Sequence, residues 1–296
     1  MKVRFVQVDV FTEHVFGGNA LAVFVDGRDV PEGLMQPLAR EMNLSETTFV
    51  LPPDSAANLA KVRIFTPGAE LPMAGHPTIG TAYVLAAQGM TSDRAFTLEE
   101  KVGPIPVRID GEPSNPGVIW MTQPLPTFGP EMINREEIAA RLSIGREDLL
   151  DVPVRTGSAG LPFVFVGMRT QEGVDRVALG DRDLSALSGD GGQGIFVYSP
   201  AAEHGRNEVY SRMLGSHGLG IVEDPATGGA SGPLGALLVR EGVVPAGELV
   251  EIVSRQGVAM GRQSDIHIRL AYESGTLSQV EVGGTAVPVL EGTVTL

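Results

Sequence analysis

With 296 residues, 36 acidic against 22 basic side chains and a net charge of −14, the chain is too acidic, and its arginines too scattered, to track a nucleic-acid backbone. It has no cysteine, which excludes disulfides, thiolate metal sites and thiol nucleophiles, and no run near the roughly 20 apolar residues that span a bilayer. The length suggests two domains of about 150 residues each, and a start without a signal-peptide pattern fits a cytoplasmic protein.

In chain order, residues 3–11 alternate, with Val6, Val8 and Val10 on one face and Gln7 and Asp9 on the other, which predicts a first strand. A Gly17–Gly18–Asn19 turn leads into a buried strand over 20–25. Helical spacing over 31–43 puts Leu34, Leu38, Ala39 and Met42 on one side, with Pro31 at a tolerated start. Residues 47–51 and 63–66 read as strands, and the loop 67–75 feeds a helix over 77–88 stopped by Gly89. Asn134 is placed to cap a helix over 135–142, with Glu136 and Glu137 in its first turn. The tail from Ile266 is hairpin-like, turning at Gly275 and Gly283–Gly284. Trp120, Phe163 and Phe165 read as core.

The second half repeats the order of the first. Ser158–Ala159–Gly160 precedes LPFVFV as Gly17–Gly18–Asn19 precedes ALAVFV, and GGASGPLGALLVREG (228–242) matches GHPTIGTAYVLAAQG (75–89) in length and in its glycine ends. The wider spacing in the second half is assigned to the Gly-, Ser- and Asp-rich loop 185–194. The pattern predicts an internal duplication and an α+β fold of two pseudo-symmetric domains, each a curled sheet around a central helix.

Two segments carry chemistry. AGHPTIG (74–80) opens a helix, where unsatisfied N–H groups and the helix dipole favour an anion. Gly75 would let a carboxylate approach the backbone, and His76 could donate or handle a proton. EDPATGGASG (223–232) is a second such opening, with Asp224 at a cap or turn position and Gly228 and Gly229 freeing the backbone. Either segment alone also reads as a plain helix start without a ligand. Glu46, in NLSETTFV, sits where a helix gives way to a strand; it is either an exposed edge charge or a base aimed into a cleft. Ser45 beside it holds substrate or caps a turn. GDGGQG (189–194) precedes a strand instead of following one and is rejected as a dinucleotide site, and His14, His76, His204, His217 and His267 show no metal-ligand spacing.

Taken together, VDVFTEHVFGGNALAVF, AREMNLSETTFVL, RIFTPGAELPMAGHPTIGTAYVL and EDPATGG closely resemble the PhzF-like family of phenazine biosynthesis. The resemblance implies a diaminopimelate epimerase-like fold with the active site between its domains, a homodimer, and proton transfer on a small carboxylate-bearing metabolite without metal or cofactor. It implies domains of 1–125 plus 280–296 and of 126–279, the last strand returning to the first domain. Carried over by motif, Glu46 is the base and His76 and Asp224 assist; Asn19, Ser45, Gly75, Gly228, Gly229 and Ser231 are the substrate-binding candidates. The family pattern often has serine where Gly229 stands here. In the duplication Gly229 is the partner of His76, so a symmetric two-base epimerase is disfavoured unless Ser231 substitutes. An epimerase and a non-catalytic carboxylate-binding protein remain the alternatives to an isomerase.

Overall fold

A computed structural model describes residues 1–178, 194–201, 207–215 and 222–296. The chain forms two compact units. The Gly-rich stretch 189–193, most of the loop 185–194, His204 and His217 lie outside the described residues.

The first unit comprises Met1–Thr122 and Val282–Leu296. Its strands are β1 (Lys2–Val10), β2 (Asn19–Phe24), β3 (Glu46–Leu51), β4 (Ala60–Phe65), the two-residue β5 (Glu70–Leu71), β6 (Ala95–Glu100), β7 (Gly103–Glu112) and β8 (Asn115–Gln123). β1 and β2 are antiparallel, β2 and β3 parallel, β3 and β4 antiparallel, and β4 runs parallel to β6, which continues antiparallel into β7 and β8. Helix α1 (Glu32–Met42) joins β2 to β3 and α2 (Gly75–Ala87) joins β5 to β6. Every α2 residue except Tyr83 and Ala87 is buried, so this helix is apolar nearly all round, as a helix wrapped by a sheet must be.

Unit two, Gln123–His217 and Ile221–Glu281, repeats the plan. After β9 (Thr127–Glu131) and α3 (Arg135–Arg141) come β10 (Arg155–Ser158), β11 (Pro162–Gly167), α4 (Gln171–Arg176), β12 (Gly194–Ala201), β13 (Glu208–Gly215), the two-residue β14 (Glu223–Asp224), α5 (Gly228–Arg240), β15 (Leu249–Gln256), β16 (Ser264–Glu273) and β17 (Thr276–Gly284). The same pairings recur: β10 with β11 antiparallel, β11 with β12 parallel, β12 with β13 antiparallel, and β13 parallel to β15. Here Ala230, Leu234 and Leu237 of α5 pack on Phe165, Phe196, Ile252 and Ile268. Two α+β units, each a curled sheet with one buried helix, are what the repeated pattern predicted.

Several local expectations need correction. On α1 the buried side is Met35, Leu38 and Ala39, with Met42 packed partly against the same core, while Leu34 is 41% exposed. Positions 35, 38, 39 and 42 make a tighter helical stripe than one that begins at 34. Asp9, on the face opposite the valines, is itself buried, and its carboxylate accepts the Phe16 N–H at 2.6 Å. Gly283–Gly284 is not a turn but the end of β17; a Cβ at Gly283 would stand 2.5 Å from the Trp120 ring and one at Gly284 2.3 Å from Phe11. The glycines are there because aromatic rings lie on the strand. The central helix of the first unit starts at Gly75, two residues before the expected 77, so His76 lies within its first turn. Asn134 caps α3 as expected, accepting the Glu137 N–H at 3.1 Å, and Trp120, Phe163 and Phe165 are buried.

Candidate active site

Three of the sequence candidates meet in the first unit. Asn43 ends α1 in a left-handed turn (φ 51°), and the chain passes through half-buried Leu44 and Ser45 into β3, whose first residue is Glu46. Pairing of Leu21 with Glu46 fixes that strand beside β2. Glu46 is only 6% exposed, so it is not an edge charge. Asn19, the first residue of β2, is fully buried. The loop before it is built on Gly18 (φ +57°), where a Cβ would come within 2.2 Å of the Val10 carbonyl oxygen. Asp9 holds the far side of that loop through Phe16, itself at φ 70°.

His76 comes to these two from the first turn of α2. Its Nδ1 lies 3.1 Å from Asn19 Nδ2, and its Nε2 lies 3.1 Å from Glu46 Oε2. An amide nitrogen only donates, so Nδ1 accepts and the imidazole proton sits on Nε2, facing the carboxylate. The Nε2–Oε2 approach lacks the alignment of a full hydrogen bond. Burial lowers the His76 pKa to about 3, so the ring is neutral at physiological pH and the contact is not an ion pair. The site therefore sets a buried carboxyl beside a neutral imidazole donor.

In unit two, Asp224 closes β14 and is 5% exposed. It is not the cap of α5. Thr227 holds that position and donates its hydroxyl to Asp224 Oδ2 at 2.7 Å. Gln256 braces the turn: its Nε2 donates to the Asp224 carbonyl at 2.7 Å and to Thr227 Oγ1 at 2.9 Å, and its Oε1 accepts the Thr227 N–H at 3.0 Å. Gln123 Nε2 donates to the Gly228 carbonyl at 2.9 Å. Gly229 is buried, yet a Cβ built on it meets nothing within 4 Å. Ser231 is fully buried and donates its hydroxyl back to the Thr227 carbonyl at 3.0 Å, which holds it in the helix.

Asp9, Glu100, Thr227, Gln123 and Gln256 support these openings, and the sequence reading did not single them out. For Glu100 a signal existed: in FTLEE the period of two puts it on the face of buried Leu98. A cavity of about 650 Å³ in unit two, lined by Phe128, Ala236, Arg240, Tyr272 and Leu277 among others, contains none of the candidate residues. Among the described residues no three His, Asp or Glu side chains gather as metal ligands, and no helix is long and apolar enough to cross a membrane.

Comparison with known proteins bears on this arrangement. A family model described as phenazine biosynthesis-like protein, PhzC-PhzF, matches residues 8–292. The trans-2,3-dihydro-3-hydroxyanthranilate isomerase of Pseudomonas aeruginosa is 37% identical over 290 residues, which cover 98% of each chain. A Bacillus anthracis phenazine biosynthesis protein of the PhzF family superposes over 100% of both chains with a TM-score of 0.90 at 27% identity. A hydroxyproline epimerase of Agrobacterium vitis, 12% identical, shares the fold alone, with a TM-score of 0.70 over 99% of this chain and 92% of that one. A match of this extent makes the chain an isomerase that belongs to the PhzF-like, phenazine biosynthesis-like family.

Proposed function

We propose that the chain moves a proton within a small carboxylate-bearing substrate, with Glu46 as the sole base and without metal or cofactor. The observation that carries the reading is the buried Glu46–His76 contact of 3.1 Å, with Asn19 on the other ring nitrogen so that Nε2 faces Glu46. Glu46 takes a proton from a carbon activated by conjugation. The C–H electron pair becomes a new double bond, the existing double bond shifts, and the carbon at its far end takes the proton back from the same carboxyl. Neutral His76 offers Nε2–H to charge that builds on the substrate as the first bond breaks. Asp224 and the glycine-led starts of α2 and α5 hold the substrate, a role supported by family likeness and by the N–H groups that a helix opening presents. Ser45 and Ser231 are kept as binding candidates, Ser231 through its place in the helix start.

An epimerase with two bases finds less support. Gly229, matched to His76 by the duplication, has no side chain, and the Ser231 hydroxyl is turned to the Thr227 carbonyl. The reading includes a cytoplasmic homodimer, which family likeness supports and sedimentation checks.

The test uses trans-2,3-dihydro-3-hydroxyanthranilate, the compound named for the Pseudomonas aeruginosa relative, and conjugated cyclic carboxylates like it. Turnover followed by NMR should fall by about 10²–10⁴ in Glu46→Gln, the range of a general base. Glu46→Gln turning over as fast as wild type would remove Glu46 from the chemistry. Binding without turnover in the wild type would leave a carboxylate-binding protein.

A further inference from the structure

A second carboxyl lies under the same helix start and takes no part in the proposed proton transfer. Glu100 ends β6 and is 7% exposed. Its Oε1 contacts Thr78 Oγ1, and the Ala74 N–H also bonds this carboxyl. Oε2 is buried with no hydrogen-bond partner. Thr78 Oγ1 meanwhile donates to the Ala74 carbonyl at 2.7 Å. A hydroxyl has one proton. The hydroxyl faces two acceptors, the Ala74 carbonyl and Glu100 Oε1, so both contacts are satisfied together only when Glu100 supplies the second proton. An ionised carboxylate here would leave a charged oxygen buried without a donor, which costs more than leaving the carbonyl oxygen of the neutral acid so.

We propose that Glu100 is a positioning residue kept as the neutral carboxylic acid, whose proton binds Thr78 and so fixes the first turn of α2, and with it His76, against Glu46. Losing that proton draws the Thr78 hydroxyl from the Ala74 carbonyl towards Glu100. Ala74 precedes Gly75 and His76, so the turn that carries the imidazole shifts with it. Burial pushes the Glu100 pKa up to about 8, against the smaller opposing pull of the Thr78 and Ala74 bonds. The other titratable groups on elements around it are His76 and Tyr83 on α2, Lys61 and Arg63 on β4, Glu70 on β5, and its strand neighbours Glu99 and Lys101. None is among the causes of that shift. His76 is neutral, Arg63 is paired with Glu70, and Glu99 bonds the Asp54, Ser55 and Asn58 groups. On β7, Arg108 pairs opposite Ala95, at the other end of β6.

This positioning role rests on the isomerase reading only where activity is the readout, so the deciding measurement is spectroscopic. The imidazole nitrogen NMR signals of His76, assigned by comparison with His76→Gln, are followed from about pH 6 to about pH 10. In wild type they should shift with a midpoint near 8, and in Glu100→Gln, whose amide donates to Thr78 like the neutral acid, they should stay at the low-pH position. Thr78→Val, which removes the partner hydroxyl, should also lose the shift, and it keeps the test open should Glu100→Gln fail to fold. A flat wild-type signal, or an equal shift in Glu100→Gln, overturns the proposal. In parallel, kcat/KM should fall by about tenfold from about pH 7 to about pH 9 in wild type and remain level in Glu100→Gln. If no carboxylate is turned over while the nitrogen titration behaves as stated, only the isomerase mechanism fails.

Discussion

His76 meets Glu46 as a neutral imidazole because burial holds its pKa near 3, below the ordinary 6.5. The unfolded chain therefore binds a proton between those values when the folded one does not, and folding stability falls as pH drops from about 6.5 towards 3. For Glu100 the sign reverses. Its folded pKa of about 8 lies above the ordinary 4.5, so the folded state keeps a proton the unfolded chain has lost, and stability falls as pH rises from about 4.5 to 8. Urea unfolding at a series of pH values should show the acid slope reduced in His76→Gln and the alkaline slope reduced in Glu100→Gln. Unchanged slopes would mean that neither group titrates as its burial demands. Glu46 and His76 were legible as motif residues. Their closeness was not, because it depends on the β2–β3 pairing and on where α2 begins. Asp9 read as an ordinary strand charge, since a carboxyl bonded to a backbone N–H carries no local mark in sequence, whereas the alternation that puts Glu100 on the face of buried Leu98 was there to be read.

Among the elements, the two central helices differ at their glycines in ways that stability can measure. On α2, a Cβ at Gly80 would stand 2.7 Å from both Leu21 Cδ2 and Val10 Cγ2, so the helix lies directly on β1 and β2 there. Gly80→Ala should lower stability by about 1–3 kcal/mol through overpacking. On α5, Gly229 has open space where its Cβ would be. Gly229→Ala should be neutral or stabilising by up to about 1 kcal/mol, from helix propensity. Thermal unfolding of the pair decides it, and the reverse order would contradict the packing described. Helix existence was readable from glycine ends and apolar content. What the pattern could not supply was which face of α1 is buried, or that Gly283 and Gly284 make room for Trp120 and Phe11.

For the whole molecule, the last strand matters as much as the first. β18 (Ala286–Thr295) pairs antiparallel with β1 from Lys2–Thr295 to Val10–Ala286, with a bulge at Gln7–Val8. Removing residues 286–296 would bare the length of β1, and an exposed edge of that kind aggregates. The truncated chain should be insoluble or lose its circular-dichroism signature, whereas a soluble, native-like product would show that β1 needs no second partner. The duplication was visible in sequence because both halves repeat a glycine turn, a strand and a glycine-bounded helix. The return of the chain's end to β1 was expected only by resemblance, since strands at opposite ends of the chain leave no spacing to read. The halves differ at matched positions: one places Glu46 and His76 together, and the other has Gly229 at the position that matches His76 in the repeat.

The central claim is that one carboxyl, Glu46, both removes and returns the proton. Turnover of a conjugated cyclic carboxylate in deuterium oxide tests it most directly. Wild type should place at most one deuteron, at a single carbon and on a single face, and Glu46→Gln should place none at a comparable rate. Label on both faces of one carbon, or undiminished labelling by Glu46→Gln, would contradict it.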